Sequence, residues 1–521
     1  MRVLFLMLAL CVPVFATTYY VDNTQGDASD SNAGTDPLVP WLTIGKCATT
    51  ITAGDTCEIL AGTYTPRITH GTNAGSLGSL ITYTSTAGVC NPGDTCPKLM
   101  GMTINKNYVT VKGLEFTNNG LTPDAQRTIV ITAGSNISFI DNYLHETVHA
   151  FEAINVGGGA TFARIAGNDI TKVGSLTTPF GLLPAIVGSS SGSPTDTLIE
   201  NNNISYVSDY VNPRGNKWVI RNNTLGPSDE LSIIHIDAVQ PTSAAQYVLF
   251  EGNTSLDNRN FDGSVYQNHI ELNEVAGSDN YIFRYNSTCR SPAAWIVTGP
   301  DRQFWYNNTV VNAKDYLSPG NVQIGVSATS TGNIARNNIW YGATAIGTDP
   351  YSVPGGSVID RDYDLWFAGG DPAETNDVNA DPLFINIAAC VVGGIGSFNV
   401  NLQSGSPAIN AGGPLTTVAA ADTGSGTSLV LTDAGPFQPG WSGASADQIA
   451  VGTVGNTATV SSIDYSTNTI TLASGITRSD NDSVWLYKKS DGLTVLVGTA
   501  PDIGANEYGV SGTTGASLRV R

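Results

Sequence analysis

Short runs of alternating apolar and polar residues recur along the middle of the chain, and each ends in asparagine, as in "ISFIDN", "WVIRNN" and "VLFEGN". An alternation with a period of two residues predicts β-strands that bury one face. Successive marker asparagines are 21 residues apart at the closest (Asn202 to Asn223) and 34 at the widest (Asn168 to Asn202). The markers are Asn118, Asn142, Asn168, Asn202, Asn223, Asn253, Asn286, Asn308 and Asn338.

A repeat of this length predicts one coil of a parallel β-solenoid, with insertions in the turns of the longer coils. Asparagine suits the corner of a coil because it tolerates a left-handed backbone and can stack as a hydrogen-bonded ladder. We therefore expect the marker asparagines to occupy equivalent corners of successive coils around one shared core.

The two ends of the repeat region carry elements of a different kind. Before it, Ile44, Cys47 and Ile51 have helical spacing, and we expect a short helix that covers the open end of the solenoid. After it, residues 415–498 alternate like a small β-barrel-like insertion. Its strand-like runs are "TSLVLTD", "DQIAVGTV", "TATVSSIDY", "NTITLAS" and "SVWLYKK".

Composition and charge narrow the class of protein. Charged residues make up only 13% of the chain and glycine accounts for 57 residues, which is typical of a turn-rich β protein. The net charge of −20 argues against a nucleic-acid partner, because phosphate binding requires clustered Lys and Arg.

Residues 1–16 have the pattern of a secretory signal peptide, with Arg2, an apolar run and "VFA" before the cleavage site. No later stretch is long and apolar enough to predict a membrane span. We expect a soluble exported protein, extracellular or periplasmic.

Cysteine usage agrees with export. Of the 7 cysteines, Cys11 lies in the signal peptide, and the even remainder suggests disulfides. The plausible local pairs are Cys47–Cys57 and Cys90–Cys96. Cys289 and Cys390 either pair or stay buried as thiols.

The opening stretch "YYVDNTQGDASDSNAGTDPLVPWLTIGKCATTITAGDTCEILAGTY" and the closing segments "DPLFIN", "GSPAINAG" and "PDIGANEY" resemble secreted bacterial proteins of the pectate-lyase-like superfamily. The resemblance implies an all-β fold, a right-handed parallel β-helix with an N-terminal helical cap. We predict a β-helix over 17–414, the insertion over 415–498 and a return segment over 499–521 that closes the β-helix. The insertion departs from the resemblance, because a closing turn needs far fewer residues. It leaves the activity open, because this superfamily includes lyases, hydrolases, epimerases and non-catalytic surface proteins.

Candidate chemistry centres on "HIDAVQP" and "HIELNE", in a chain with only 5 histidines. If the interleaved aliphatic residues face the core, four polar side chains share the outward direction. In-register coils would then place His235 beside His269 and Asp237 beside Glu271, about 5 Å apart. Arg214 and Lys217, from the preceding coil, would lie at the edge of this patch.

Three chemistries fit such a patch. Two close carboxylates could serve as the acid and base of a glycoside hydrolase. Asp209, Asp237 and Glu271 could instead hold Ca²⁺, which would acidify the C5 proton of a bound uronate. A Lys, Arg, His or Tyr could then take that proton, which gives β-elimination. The resemblance favours this last arrangement, and so a lyase that cleaves a uronate-containing polysaccharide. The alternatives are a glycoside hydrolase and a non-catalytic, glycan-binding surface protein.

Overall fold

Parallel strands stack in three sheets along most of the chain in the computed structural model. Each coil runs through sheet I, sheet II and sheet III in turn before the next coil begins. The structure describes residues 16–118, 128–147, 152–174, 183–230, 236–256, 258–260, 269–289, 295–311, 324–326, 329–342, 351–352, 359–368, 374–390 and 398–510. The predicted signal peptide therefore lies almost wholly outside the described residues.

Two long strands bend from sheet I into sheet II and join them. Sheet I comprises Ile68–His70, Met102–Ile104, the first parts of Ile129–Ile140 and Ile154–Ala166, Ile186–Gly192, Asp209–Asn212, Asp237–Val239, His269–Asn273, Trp295–Val297, Ile324–Val326 and Tyr351–Ser352. Sheet II comprises Thr18–Val21, Thr56–Ile59, Ile81–Ser85, Val109–Lys112, the second parts of the two long strands, Thr195–Glu200, Gly215–Arg221, Ala245–Glu251, Tyr281–Arg284, Gln303–Tyr306, Asn333–Arg336 and Ile359–Asp362.

Sheet III has 13 strands and closes each coil. They are Thr63–Tyr64, Lys98–Leu99, Glu115–Phe116, Tyr143–Thr147, Asp169–Val173, Asn203–Ser205, Thr224–Leu225, Thr254–Leu256, Ser287–Cys289, Thr309–Val311, Ile339–Tyr341, Leu365–Phe367 and Val378–Asn379. Crossovers between parallel strands are almost always right-handed. The predicted right-handed parallel β-helix is confirmed.

The predicted asparagine ladder lies at the corner between sheets II and III. From Asn142 to Asn338, each side-chain nitrogen donates to the side-chain oxygen of the next marker at 2.9–3.2 Å. The residue before each marker has a left-handed backbone, as at Asp141 and Asn201. The prediction is wrong for Asn118, which follows its strand. Leu114 takes the ladder position there, and its backbone N–H donates to Asn142.

The ends match the predictions. A helix spans Ile44–Thr50, Thr43 caps it by accepting the N–H of Lys46, and its buried face packs into the core. Three disulfides join Cys47 to Cys57, Cys90 to Cys96 and Cys289 to Cys390, with Cα separations of 6.1, 6.1 and 5.3 Å. The first two were predicted, and the third settles the pairing that the sequence left open.

Six antiparallel strands form a separate sheet between residues 416 and 488. They are Thr416–Thr417, Gly424–Val430, Gln448–Val451, Thr453–Asp464, Thr469–Arg478 and Ser483–Lys488, with a 3₁₀ turn at Trp441–Gly443. Smaller elements are the strand pairs Ser228–Glu230 with Asn258–Asn260 and Phe384–Asn386 with Asn399–Leu402, and a 3₁₀ turn at Ala388–Cys390. No helix within the described ranges is long and apolar enough to cross a membrane.

This antiparallel unit docks on the outer face of sheet II. Leu249, Ile282 and Phe304 from sheet II form one buried cluster with Ile449 and Val484 from the antiparallel unit. The shared core explains why residues 415–498 alternate so clearly between apolar and polar positions.

A buried ion pair joins the two parts. Arg284 of sheet II donates to both carboxylate oxygens of Asp447 at 2.7 and 2.8 Å, and to Glu251 at 2.6 Å. Its side chain and those of both acids are fully buried. The two carboxylates and the hydroxyl of Tyr306 accept hydrogen bonds from the guanidinium, so the buried positive charge of Arg284 is compensated within the interface.

Replacement of Asn253 by alanine is expected to lower the free energy of unfolding by about 2–4 kcal/mol, because it leaves buried ladder groups without partners. Asn253 accepts two hydrogen bonds from Asn223 at 2.9 Å and donates to Ile220 and Asn286. The exposed Asn203→Ala change, made as a control, should stay within about 0.5 kcal/mol. Denaturant unfolding followed by circular dichroism measures both, and equal effects would contradict a structural ladder.

Asp447→Asn is expected to cost about 3 kcal/mol or more, because an amide cannot accept both hydrogen bonds that buried Arg284 donates to the Asp447 carboxylate. Asp360→Asn breaks an Arg–Asp contact in which the acid is 56% exposed, and should cost under about 1 kcal/mol. Thermal unfolding of the two variants tests the contrast. A small loss for Asp447→Asn would mean that apolar packing alone holds the antiparallel unit in place.

Candidate functional site

The register of sheet I brings three of the predicted residues into one column. Asp209 pairs with Asp237 on the next strand, and Asp237 pairs with His269 on the strand after that. Neighbouring strands are about 4.8 Å apart, so the two aspartates lie one strand spacing from each other. The predicted column differs, because the sequence placed His235 beside His269 and Asp237 beside Glu271.

Both aspartates are withdrawn from bulk solvent. Asp237 is 0% exposed and Asp209 is 8% exposed. In one orientation of its amide, the side-chain nitrogen of Asn212 donates to the Asp209 carboxylate at 3.4 Å. In the flipped orientation the nitrogen donates to the carbonyl oxygens of Val211 and Gln240. Two carboxylates so close together and so little exposed are unusual in a chain with few charges.

An equivalent carboxylate–amide pair lies two coils earlier. The side-chain nitrogen of Asn155 donates to Glu152 at 2.6 Å, and both groups are buried. Sequence analysis did not include this pair. Its position follows only from the register of Ile154 with Ile186 and of Ile186 with Val211.

Arg214 lies at the far end of the same strands. Its guanidinium donates to the hydroxyl of Thr242 at 3.0 Å from Nε and 2.5 Å from Nη2. It follows Asp209 by five residues, roughly 16 Å of extended chain. Arg214 therefore lies beyond the end of the strand Asp209–Asn212, and its role at the edge of the patch stays a prediction.

Lys217 does not belong to this column. It is exposed at the corner that leads into sheet II, between Asp196 and Tyr247 of the neighbouring coils, and has a left-handed backbone. Its carbonyl oxygen accepts a hydrogen bond from Ser442 of the antiparallel unit. The placement of Lys217 at the edge of the patch is therefore wrong. His235 lies outside the described residues, and of His269 only the strand is described.

Glu271 faces the interior, so the predicted outward direction is wrong. It pairs with Val239 and with Trp295, and both neighbours belong to the main core cluster. The Trp295 ring meets Trp340 of sheet III across the interior, with ring centroids 6.0 Å apart. Parity failed as a guide because the core of these coils contains polar residues.

The surroundings of Glu271 favour its neutral form. Its side chain is 0% exposed and accepts one hydrogen bond, from Asn273 at 3.0 Å. Burial raises the pKa of Glu271 to about 8, against smaller lowering effects of Asn273 and of the Trp305 indole. The indole nitrogen of Trp295 has no hydrogen-bond partner among the described residues.

The predicted calcium ligands are divided between two neighbouring columns of sheet I. Asp209 and Asp237 pair with each other, whereas Glu271 pairs with Val239, two residues beyond Asp237. Among the described residues, no group of three or more His, Cys, Asp and Glu side chains could hold a metal ion. The proposed three-carboxylate set therefore does not fit calcium.

A second polar cluster lies on sheet III, where the sequence alone gave no register. His145 contacts Glu115 at 2.9 Å, Lys98 contacts the same carboxylate at 3.1 Å, and Tyr143 stacks on His145. Burial would raise the pKa of Glu115, but hydrogen bonds from His145 and Lys98 outweigh it and lower that pKa. These contacts compensate the charges within the cluster.

Comparisons with known proteins do not identify a family for this chain. No family model matches the sequence, and no curated protein matches it. Similar solved structures include XylC in complex with xylose (13% identity, 71% of this chain and 87% of that one, TM-score 0.47) and pectate lyase Pel9A (13%, 78% and 93%, 0.38). A lacto-N-biosidase from Eubacterium ramulus is also similar (11%, 70% and 67%, 0.39).

At these identities and TM-scores the likenesses carry no inference about activity. The three stacked parallel sheets and the asparagine ladder of this chain place its architecture among the right-handed parallel β-helix proteins.

Glu271→Gln is expected to change how stability depends on pH. The raised pKa means that the contribution of Glu271 to stability is fully present below about pH 4.5 and is lost as pH rises through about 8. Compared with the unaltered protein, the variant should have a similar melting temperature at about pH 5 and a higher one at about pH 9. If the melting temperatures of the variant and the unaltered protein differ by the same amount at both pH values, Glu271 does not titrate in this range.

Proposed function

We propose that this chain is an exported enzyme that cleaves a uronate-containing polysaccharide by β-elimination. The observation that supports it best is the Asp209–Asp237–His269 column on sheet I, with Arg214 at the far end of the same strands. The predicted signal peptide supports export to the extracellular space or the periplasm.

The reaction requires a base, a stabilised anion and an acid. The base removes the C5 proton of the uronate, a C4–C5 double bond forms, and the C4–O bond breaks so that the leaving oxygen takes a proton. We assign the base to His269, because imidazole exchanges protons near neutral pH. His235, predicted from sequence as a second proton carrier, keeps that role only as a prediction.

The aspartates act on the histidine in this scheme. A carboxylate beside an imidazole fixes its tautomer and stabilises the imidazolium that forms after proton transfer. Asp237 holds this position by register with His269. Asp209 keeps the local field negative, and Arg214 would bind the carboxylate of a neighbouring uronate.

Glycoside hydrolysis is the second candidate, and the aspartate pair favours it. The backbones of Asp209 and Asp237 lie on adjacent strands about 4.8 Å apart, a spacing that lets their carboxyl groups reach the separation of about 5–5.5 Å that retaining glycosidases use. The products distinguish the two activities, because a lyase forms an ultraviolet-absorbing unsaturated uronate and a hydrolase yields only new reducing ends.

A requirement of the proposed reaction for Ca²⁺ is tested separately. Two carboxylates with backbone oxygens can bind a hard cation, although Glu271 does not complete the set. Turnover is therefore measured with EDTA and after Ca²⁺ is restored. Loss and recovery would show that turnover requires Ca²⁺.

Asp237→Asn is expected to reduce turnover of an acidic polysaccharide by about 10²-fold or more with the fold retained. Lys217→Ala is the matched control, because it removes a charge that the structure places at another corner, and its turnover should stay within about twofold of the parent. The assay follows ultraviolet absorbance and reducing ends on acidic and neutral polysaccharides. Full activity of Asp237→Asn, or a large loss in Lys217→Ala alone, would refute the assignment.

A further inference from the structure

A cleft of about 420 Å³ lies on the outer face of sheet II, away from the sheet I column. Its floor contains Ser138, Arg164, Glu200 and Arg221, on successive coils. From the strand Val109–Lys112 to the strand Gly215–Arg221 the cleft crosses four strand spacings, roughly 19 Å. This length suits an extended chain molecule better than a small metabolite.

The two ends of the cleft come from different parts of the chain. Exposed Leu77 and Leu80 form the end near the N-terminal coils. Ser442 and Gly443 of the antiparallel unit form the other end. The antiparallel unit, docked on sheet II, therefore closes one end of the cleft.

One rim carries aromatic rings on a strained backbone. Tyr108, Asn136 and Phe162 occupy the same corner of three successive coils, with φ of 56°, 58° and 53°. Asparagine adopts this left-handed conformation easily, whereas a bulky residue does so at a cost. Phe162 is nevertheless 49% exposed, so its ring faces solvent instead of the core.

The floor carries positive charge in a chain whose net charge is −20. Arg164 contacts Glu200 at 2.7 Å, and Arg221 contacts the other oxygen of the same carboxylate at 2.7 Å. Two guanidinium groups thus share one carboxylate, which leaves one positive charge. Asp196 and Lys217, next along the rim, offset each other.

Arg164 and Arg221 differ in how many of their guanidinium donors are already hydrogen-bonded. Arg221 also donates to the carbonyl oxygen of Ser490 at 2.5 Å and is 13% exposed. The side chain of Arg164 is 47% exposed, and its Nη1 makes no hydrogen bond to any described residue. Arg164 therefore presents a free donor edge beside the Phe162 ring.

We propose that this cleft is a second saccharide-binding site, which holds an anionic oligosaccharide outside the catalytic groove. Arg164 binds a sugar carboxylate, and the Phe162 and Tyr108 rings pack against the apolar faces of sugar rings. The proposal does not depend on the catalytic assignment, because the two sites lie on different sheets.

The test uses isothermal titration with short oligogalacturonate and oligomannuronate chains, in protein that also carries Asp237→Asn so that the probe is not consumed. Phe162→Asn removes the ring but keeps a residue suited to the left-handed corner, as at Asn136. Arg164→Ala removes the free donor. Each change is expected to weaken oligosaccharide binding at the cleft about tenfold. Phe162→Asn should not lower the melting temperature. Tyr508→Ala, at an aromatic residue 41% exposed elsewhere, should leave binding unchanged.

The proposal is overturned if both variants bind within twofold of the parent, if no saccharide binds, or if neutral cello-oligosaccharides bind equally well. With Asp237 restored, both variants should keep their turnover of short substrates. One outcome separates the two proposals. If the protein cleaves no polysaccharide but Phe162→Asn and Arg164→Ala still weaken oligosaccharide binding, the proposed catalysis is wrong and the binding site stands.

Discussion

Hydrogen bonding between successive coils fixes their spacing at about 4.8 Å, and the rest of this structure depends on that constraint. Each side chain meets its counterpart one coil away, whatever the length of chain between them. The buried ladder from Asn142 to Asn338 maintains this register at one corner, because each amide satisfies the next. Asp364 ends the ladder by accepting from Asn338 at 3.3 Å.

The same spacing makes the chemistry of this chain depend on register. Asp209 and Asp237 are 28 residues apart in sequence (237 − 209) and become neighbours because their strands pair. On the strand His269–Asn273, His269 lies in the column of Asp237, and Glu271, two residues later, lies in the column of Val239. Asp237 and Glu271 are both fully buried, yet Asp237 adjoins a carboxylate and a histidine while Glu271 adjoins Val239 and Trp295.

The antiparallel unit changes what the outer face of sheet II can do. Its apolar face covers Leu249, Ile282 and Phe304, and Arg284 is compensated by one acid from each side of the interface, Glu251 and Asp447. A partner held by a buried charge network has a defined position, so the edge at Ser442 and Gly443 can serve as the wall of a cleft. The unit thus contributes both to stability and to the shape of the surface.

The sequence by itself determined the β-helix, the asparagine corner, the capping helix and two disulfides, because each has a local pattern. Asn202 and Asn223 mark corners because their amides stack there, directly after the left-handed residues Asn201 and Asn222. Ile44, Cys47 and Ile51 mark one helical face. Only the tertiary structure decided the direction of Glu271, the corner taken by Lys217 and the Cys289–Cys390 disulfide. Those features depend on which residues face each other across coils, and alternation along a strand does not reveal this when polar groups enter the core.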